Sequence, residues 1–372
     1  MADPILVTRS SMPPFDEYLR EIEPLWESHW LTNMGEKHRQ LEEDLKRYLG
    51  ISNIALFVNG HSALECVLEA MQLGSDGRRK VITTPFTFAS TTHAIVRMGL
   101  EPVFADIDPV SYTIDPASVE KLVDDDTCAI VPVHVYGNLC DVDALGDIAR
   151  RHNLKLVYDA AHAFGVTRSG VSSAAFGDAS MFSFHATKVF NTIEGGAVSF
   201  ADSSLGPLLE QWKNFGITSQ EDVEYIGGNA KMNEFSAAMG ICNLRHLSEE
   251  IDKRKRVTER YLERLDGHEG LTLRSCQQDV STNYAYFPVV FEDEFGATRD
   301  EVFEALHEHD IYSRKYFHPL VSDYACYAGQ FDSKETPVAR HVAKRVLTLP
   351  MYADLSISDV DRICEVVLGC AR

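Results

Sequence analysis

The sequence predicts an α/β fold in which a large domain carries a mostly parallel sheet flanked by helices and a smaller C-terminal α+β domain follows. Three observations predict it. Short apolar runs alternate with segments of helical spacing through the first half of the chain, the pattern left by strand–helix–strand crossovers. Beyond residue 230 that alternation gives way to one long, charged helical stretch running from Glu234 to Leu265. Finally, 372 residues of which 45% are apolar suffice for a large core shared between two domains, expected at 1–245 and 246–372.

Taken in order, residues 54–58 read as a strand and 62–71 as a helix, joined by Asn59-Gly60-His61-Ser62. Glycine permits a tight turn, and a new helix offers unpaired N–H groups to a phosphate, with the Ser62 or His61 side chain as a further donor or His61 contributing its backbone N–H alone. Next comes a strand at 81–83 that ends in Thr83-Thr84-Pro85-Phe86-Thr87-Phe88 and leads into a helix from Ala89; Phe88 is placed to stack on a flat ring. Strands at 102–105 and 129–133 and helices at 116–123 and 142–150 continue the alternation. The apolar strand 154–158 then ends at Asp159, and the strand 178–182 runs into Ser183-Phe184-His185-Ala186-Thr187-Lys188.

In a parallel sheet, ligands bind beyond the carboxyl ends of the strands, so Asp159 and Lys188 are expected to face one crevice. A lysine and an acid are what pyridoxal phosphate needs, the lysine for a Schiff base and the acid beside the pyridinium nitrogen. Taken singly, each feature has an ordinary reading: a solvated lysine, an aspartate cap, an N-cap at Ser62, a core phenylalanine. Their joint occurrence in this order points to the cofactor.

These residues, with Trp30-Leu31-Thr32-Asn33-Met34-Gly35, Pro132-Val133-His134-Val135-Tyr136-Gly137, Asp159-Ala160-Ala161-His162 and Gly228-Asn229-Ala230-Lys231-Met232-Asn233-Glu234, resemble the DegT/DnrJ/EryC1/StrS sugar aminotransferases over nearly the whole chain. The resemblance implies a fold-type I pyridoxal phosphate enzyme. It makes Lys188 the Schiff-base lysine and proton carrier, Asp159 the partner of the ring nitrogen, Phe88 the stacking ring and His162 a neighbour of the ring hydroxyl. Gly60, His61, Ser62 and Ser183 are implied around the phosphate, with Asn229 reaching the phosphate of a neighbouring subunit, hence a homodimer with shared sites. His61 departs from the threonine common in the family, and Ala230-Lys231 from tyrosine-arginine. With the Ala186 to Phe190 run, the variant resembles the branch that aminates C4 of dTDP-4-keto-6-deoxyglucose. The implied chemistry is ping-pong: L-glutamate leaves its amino group on the cofactor as pyridoxamine 5'-phosphate, and a nucleotide-linked keto sugar takes it. Alternatives left open are a 3-keto or UDP-linked sugar, and a lyase or regulatory protein on the same scaffold. Sugar dehydratases of this scaffold carry histidine in place of Lys188, so the lysine argues for transamination.

A formal net charge of −21 opposes nucleic acid and anionic membranes, and it would also repel a nucleotide diphosphate unless local cations intervene. Lys213, Arg314 and Lys315 are the expected cations, with Tyr316 beside them against sugar or base; Arg340 and Lys344 are further candidates. Neither G-x-G-x-x-G nor G-x-x-x-x-G-K occurs, which weakens dehydrogenase and P-loop readings of the same pattern. Eight scattered cysteines without C-x-x-C suit a reducing cytoplasm rather than a disulfide framework or structural zinc, and His307-Glu308-His309 reads as a solvated helix face. The N-terminus has no basic-then-apolar leader and no run approaches membrane-spanning length, so a cytoplasmic enzyme is expected.

Overall fold

The computed structural model describes residues 3–273, 277–331 and 333–372. Its centre is a seven-stranded sheet in the order 54–57, 196–200, 179–183, 155–159, 127–130, 80–83, 101–104. The last five run parallel, whereas 196–200 is antiparallel to both of its neighbours. That reversal follows from a short return: the chain leaves strand Ala179–Ser183, passes Lys188, and comes straight back at Gly196 without a crossover helix. Gly196 is required there because a Cβ would sit 2.5–2.6 Å from the Asn59 and Gly60 backbone. The sheet is buried on both faces, so its strands read as continuous apolar runs such as Ile54–Phe57, fully buried throughout.

Helices Gly60–Ala70, Ala89–Arg97, Pro116–Leu122 and Val142–His152 provide the crossovers. Their starts are capped by side chains where the sequence supplies them: Asn59 accepts from Ser62 N–H, Asp115 from Ala117 and Ser118, Asp141 from Ala144. The expected strand 129–133 pairs as a strand only over Thr127–Ile130, leaving Val133 in a single bridge with Asp159.

The expected boundary at 245/246 falls inside one uninterrupted helix, Glu234–Leu265. Its first half contributes Ala237, Ile241 and Leu247 to the core beside the large sheet. Its second half contributes Val257, Tyr261 and Leu265 to the core over the antiparallel sheet 271–273, 287–291, 346–349. The strand anticipated over 282–291 begins at Phe287. The preceding residues are diverted because the Asn283 amide donates to the His162 and Phe164 carbonyls at 2.9 Å and Tyr284 adopts φ 52°. A third core, containing Phe86, Tyr112, Tyr136, Val290, Phe317, Leu320 and Val342, joins the large sheet to the C-terminal part.

Seven described cysteines are free and Cys276 lies outside the described residues. Among the described residues no helix is long and apolar enough to cross a membrane, and no cluster of three or more His, Cys, Asp or Glu side chains is arranged to hold a metal ion.

Candidate active site

Strand Lys155–Asp159 delivers Asp159 to the C-terminal edge of the sheet, 4% exposed. Its Oδ2 accepts from Thr91 Oγ1 at 2.7 Å and its Oδ1 from Ala161 N–H at 3.1 Å; Thr91 Oγ1 is in turn 2.9 Å from Thr87 Oγ1. Burial pushes the Asp159 carboxyl above its ordinary pKa, while Thr91, Ala161 N–H and the Lys188 charge oppose the rise. All of its hydrogen-bond donors are neutral, so a cationic N–H beside it would be strongly favoured.

Lys188, in the turn after strand Ala179–Ser183, lies half-buried with its backbone N–H bonded to His185 O at 2.9 Å. It borders a shallow recess together with Ala161, His162, Ser183, Asn283 and Tyr286. Its Nζ stands 6.0 Å from the Tyr286 ring centroid. His162 is buried, with Nδ1 accepting from Tyr136 N–H at 3.1 Å. That bond assigns the neutral ring's proton to Nε2, which lies 3.4 Å from the Tyr286 hydroxyl. Burial, helped by the Lys188 charge, holds the His162 pKa well below its ordinary value, so the ring is neutral at physiological pH.

The Gly60–Ala70 helix begins against the end of the Lys188-bearing strand. A Cβ on Gly60 would lie 3.0 Å from Ser183 Cβ and 3.1 Å from Met181 Sδ, so glycine is what lets the helix N-terminus come this close. Ser62 N–H is already taken by Asn59 Oδ1 at 2.8 Å. That leaves Gly60 and His61 N–H without intrahelical partners, with the Ser62 and Ser183 hydroxyls beside them. His61 departs from the expected phosphate-facing donor: Nδ1 is 2.9 Å from Ser90 Oγ and Nε2 is 3.3 Å from Glu65 Oε1. Phe88, the N-cap residue of helix Ala89–Arg97, is 57% exposed.

The residues present therefore fit pyridoxal phosphate. A neutral imidazole and an amine line one recess with Ser183, which abuts a glycine-opened helix start; a buried carboxylate bonded only to neutral donors adjoins it through Ala161, and the helix whose Thr91 holds that carboxylate begins at an exposed aromatic ring.

The expected substrate residues divide. Lys213 does not border a cleft: it is 0% exposed, with Nζ 2.5 Å from Glu210 Oε1 and 3.1 Å from Leu56 O, over the Phe57 ring. A lysine at a helix C-terminus, within reach of a carboxylate and a strand carbonyl, is better satisfied folded inward than in solvent. Lys315 is paired with Asp300 at 2.6 Å and lies over Phe303. Arg340 pairs with Asp323 at 3.0 Å, and Lys344 lines a separate cleft with Arg299 and Arg345. Arg314 is exposed and acts on the neighbouring Tyr316 phenol, whose ring stands 6.2 Å from Tyr286 and joins it to the recess. Asn229 is exposed on the segment after Lys213, outside the recess, with its backbone bridged to Asn214.

Sequence reasoning missed Thr91, Tyr136, Asn283 and Tyr286. Thr91 had a usable signal, being the third helical residue past a strand-end aromatic run; Tyr286 and Asn283 had none, because they reach the site from a segment that reads as strand.

A family model described as the DegT/DnrJ/EryC1/StrS aminotransferase family matches residues 15–368. The chain is 40% identical over 367 residues, 99% of each protein, to the dTDP-4-amino-4,6-dideoxy-D-glucose transaminase of Shigella dysenteriae. It is 38% identical over 98% of each chain to the protein of that name in Escherichia coli. Among solved structures, DesI in the presence of its TDP-sugar product superposes with a TM-score of 0.94 at 34% identity, covering 100% of this chain and 93% of the other. Helicobacter pylori PseC, an aminotransferase of pseudaminic acid biosynthesis, superposes at 0.92 with 26% identity over 99% of both.

Proposed function

We propose, for a chain that belongs to the DegT/DnrJ/EryC1/StrS aminotransferase family and is a pyridoxal phosphate-dependent sugar aminotransferase, that the acceptor is the C4 ketone of dTDP-4-keto-6-deoxyglucose and the donor L-glutamate. The observation that carries the chemistry is that Lys188 and His162 line one recess with Ala161, while the buried Asp159 carboxylate, held by Ala161 N–H, lies within reach of the Lys188 charge. The acceptor assignment adds what the Shigella and Escherichia relatives are named for and the sugar nucleotide in the DesI structure.

Pyridoxal phosphate, when bound, supplies a sink for the electron pair left as a proton departs from the amine-bearing carbon. The chain's residues do the rest. Gly60 and His61 N–H groups and the Ser62 and Ser183 hydroxyls would hold the phosphate. Asp159 would keep the proton on the ring nitrogen, Phe88 would cover a face of the ring, and His162 would offer its Nε2–H to the ring hydroxyl. Lys188 Nζ would anchor the cofactor and, once freed, take up the proton that leaves the amine-bearing carbon and return it to complete the transfer. Run in one direction with glutamate and in reverse with the keto sugar, this completes both halves of a ping-pong cycle.

The working unit is a homodimer in which Asn229 of the partner subunit completes the phosphate site. What supports this is exposed apolar surface: Phe215, Ile217, Val223 and Ile226 are all exposed, Ile226 at 91%, on the stretch leading to Asn229. Arg314 and Tyr316 are assigned to the substrate's nucleotide and sugar. A cytoplasmic location fits seven free described cysteines.

The test is to incubate the enzyme with pyridoxal phosphate, L-glutamate and a panel of nucleotide-linked keto sugars, following 2-oxoglutarate and amino sugar by mass spectrometry. Conversion of dTDP-4-keto-6-deoxyglucose to the 4-amino product supports the assignment. One equivalent of 2-oxoglutarate and no amino sugar with dTDP-4-keto-6-deoxyglucose, against continued turnover with a 3-keto or UDP-linked sugar, overturns the acceptor and keeps the chemistry.

A further inference from the structure

The start of helix Ala89–Arg97 has no side-chain cap of its own, yet two consecutive residues tie it down. Thr91 Oγ1 donates to Asp159 Oδ2 at 2.7 Å, at the ring-nitrogen end of the site. Ser90 Oγ is 2.9 Å from His61 Nδ1, at the phosphate end. Phe88, exposed, is the N-cap residue that immediately precedes this tied turn. The His61 ring is itself held from behind: Nε2 is 3.3 Å from Glu65 Oε1, one turn along its own helix, and Arg97 Nε reaches the same carboxylate. A carboxylate on Nε2 places the neutral ring's proton there and leaves Nδ1 to accept the Ser90 hydroxyl. Both ring nitrogens are thus committed sideways, along a line from Glu65 to Ser90.

We propose that the His61 side chain is a positioning group: through Ser90 it fixes the helix start that carries Phe88 and Thr91 to the helix start that binds phosphate, and so sets where the cofactor ring stacks. Its contribution to the phosphate itself is the backbone N–H alone. The inference rests on the cofactor lying between Asp159 and the Gly60 turn. That seat is tested separately by Asp159→Ala, which must weaken the cofactor whatever His61 does.

The two readings of His61 differ in what a ligand without a phosphate would feel. The experiment titrates full-length apoenzyme with pyridoxal phosphate and with pyridoxal, following absorbance, for His61→Ala, Ser90→Ala, the double variant and His61→Asn, with melting temperatures as a check on folding. The expected result is a loss of about fivefold for each single variant, the same for both ligands because the ring seat is what moves. The double variant should be no worse than the weaker single. His61→Asn, whose amide reaches the place of Nδ1, should recover most of the affinity and the wild-type absorption maximum. A loss confined to pyridoxal phosphate, additive single effects, or unchanged affinity for both ligands would each overturn the proposal.

Discussion

Asp159 sits where desolvation and hydrogen bonding pull against each other. Burial raises its pKa and the neutral donors only partly oppose this, so the free carboxyl takes up a proton at a higher pH than an exposed aspartate does. Below that pKa it is uncharged and cannot counter a protonated ring nitrogen. Cofactor affinity, measured by absorbance titration, should therefore fall on the acid side, and Asp159→Asn should remove that pH limb while costing about 2–5 kcal/mol of binding at neutral pH. Lys188→Ala should lower turnover about a thousandfold or more, since a positioned acid–base group is worth that much, with cofactor still retained by the phosphate turn; near-normal turnover would remove its assigned role. At this scale the sequence was informative wherever a strand ends in a short, chemically distinctive run, as at Asp159 and Lys188. It was misleading for Lys213, whose type and neighbours resemble a surface cation until the fold places Glu210 and the Leu56 carbonyl around it. Tyr286 and Asn283 were invisible because nothing local in 282–286 reveals that it bends past His162.

Among the elements, the helix Glu36–Leu49 depends on a side chain from far along the chain. The buried Glu234 carboxylate accepts from Lys37 N–H at 2.8 Å and His38 N–H at 3.2 Å, doing for this helix start what no side chain of its own does. The Gly35 N-cap gives it room, since a Cβ there would lie 2.4 Å from Glu234 Oε2. Glu234→Ala should cost about 2–3 kcal/mol by leaving buried donors unmet, read as a lower melting temperature; a change below about 0.5 kcal/mol would mean that the cap is not energetically used. The strand–helix alternation between 54 and 183 was legible because period and turn residues agree locally. The helix Glu36–Leu49 and the reversed strand Gly196–Phe200 were not read, because distant contacts fix them: one begins on Glu234, and the other is defined by pairing on both sides.

For the whole molecule, buried histidines make acid a specific denaturant. His38 and His134 are held neutral by burial, with pKa values lowered from 6.5 to about 3, and His162 is lowered as well. The unfolded chain protonates His38 and His134 below pH 6.5 while the folded chain does not until about pH 3. Stability is intact above 6.5 and lost progressively as the pH falls between those values, and His162 adds to the loss in the same direction. By pH 5 His38 and His134 should each account for about 2 kcal/mol, visible as a falling melting temperature that His38→Leu makes shallower. The proposed shared-site dimer gives a second prediction. Mixed refolding of Lys188→Ala with Asn229→Ala subunits should restore activity in about a quarter of the sites, because one site of each heterodimer is then complete. No recovery would place Asn229 outside the partner's site.

The helix Glu234–Leu265 packs its first half in one core and its second half in another. Their relative orientation is thereby written in the residue count between Leu247 and Val257. Inserting a single residue there would turn everything downstream by about 100° and advance it about 1.5 Å, swinging Val257, Tyr261 and Leu265 off their sheet and carrying Tyr286, Arg314 and Tyr316 away from Lys188. Along this stretch, substitution is tolerated face by face, but length is not a free variable.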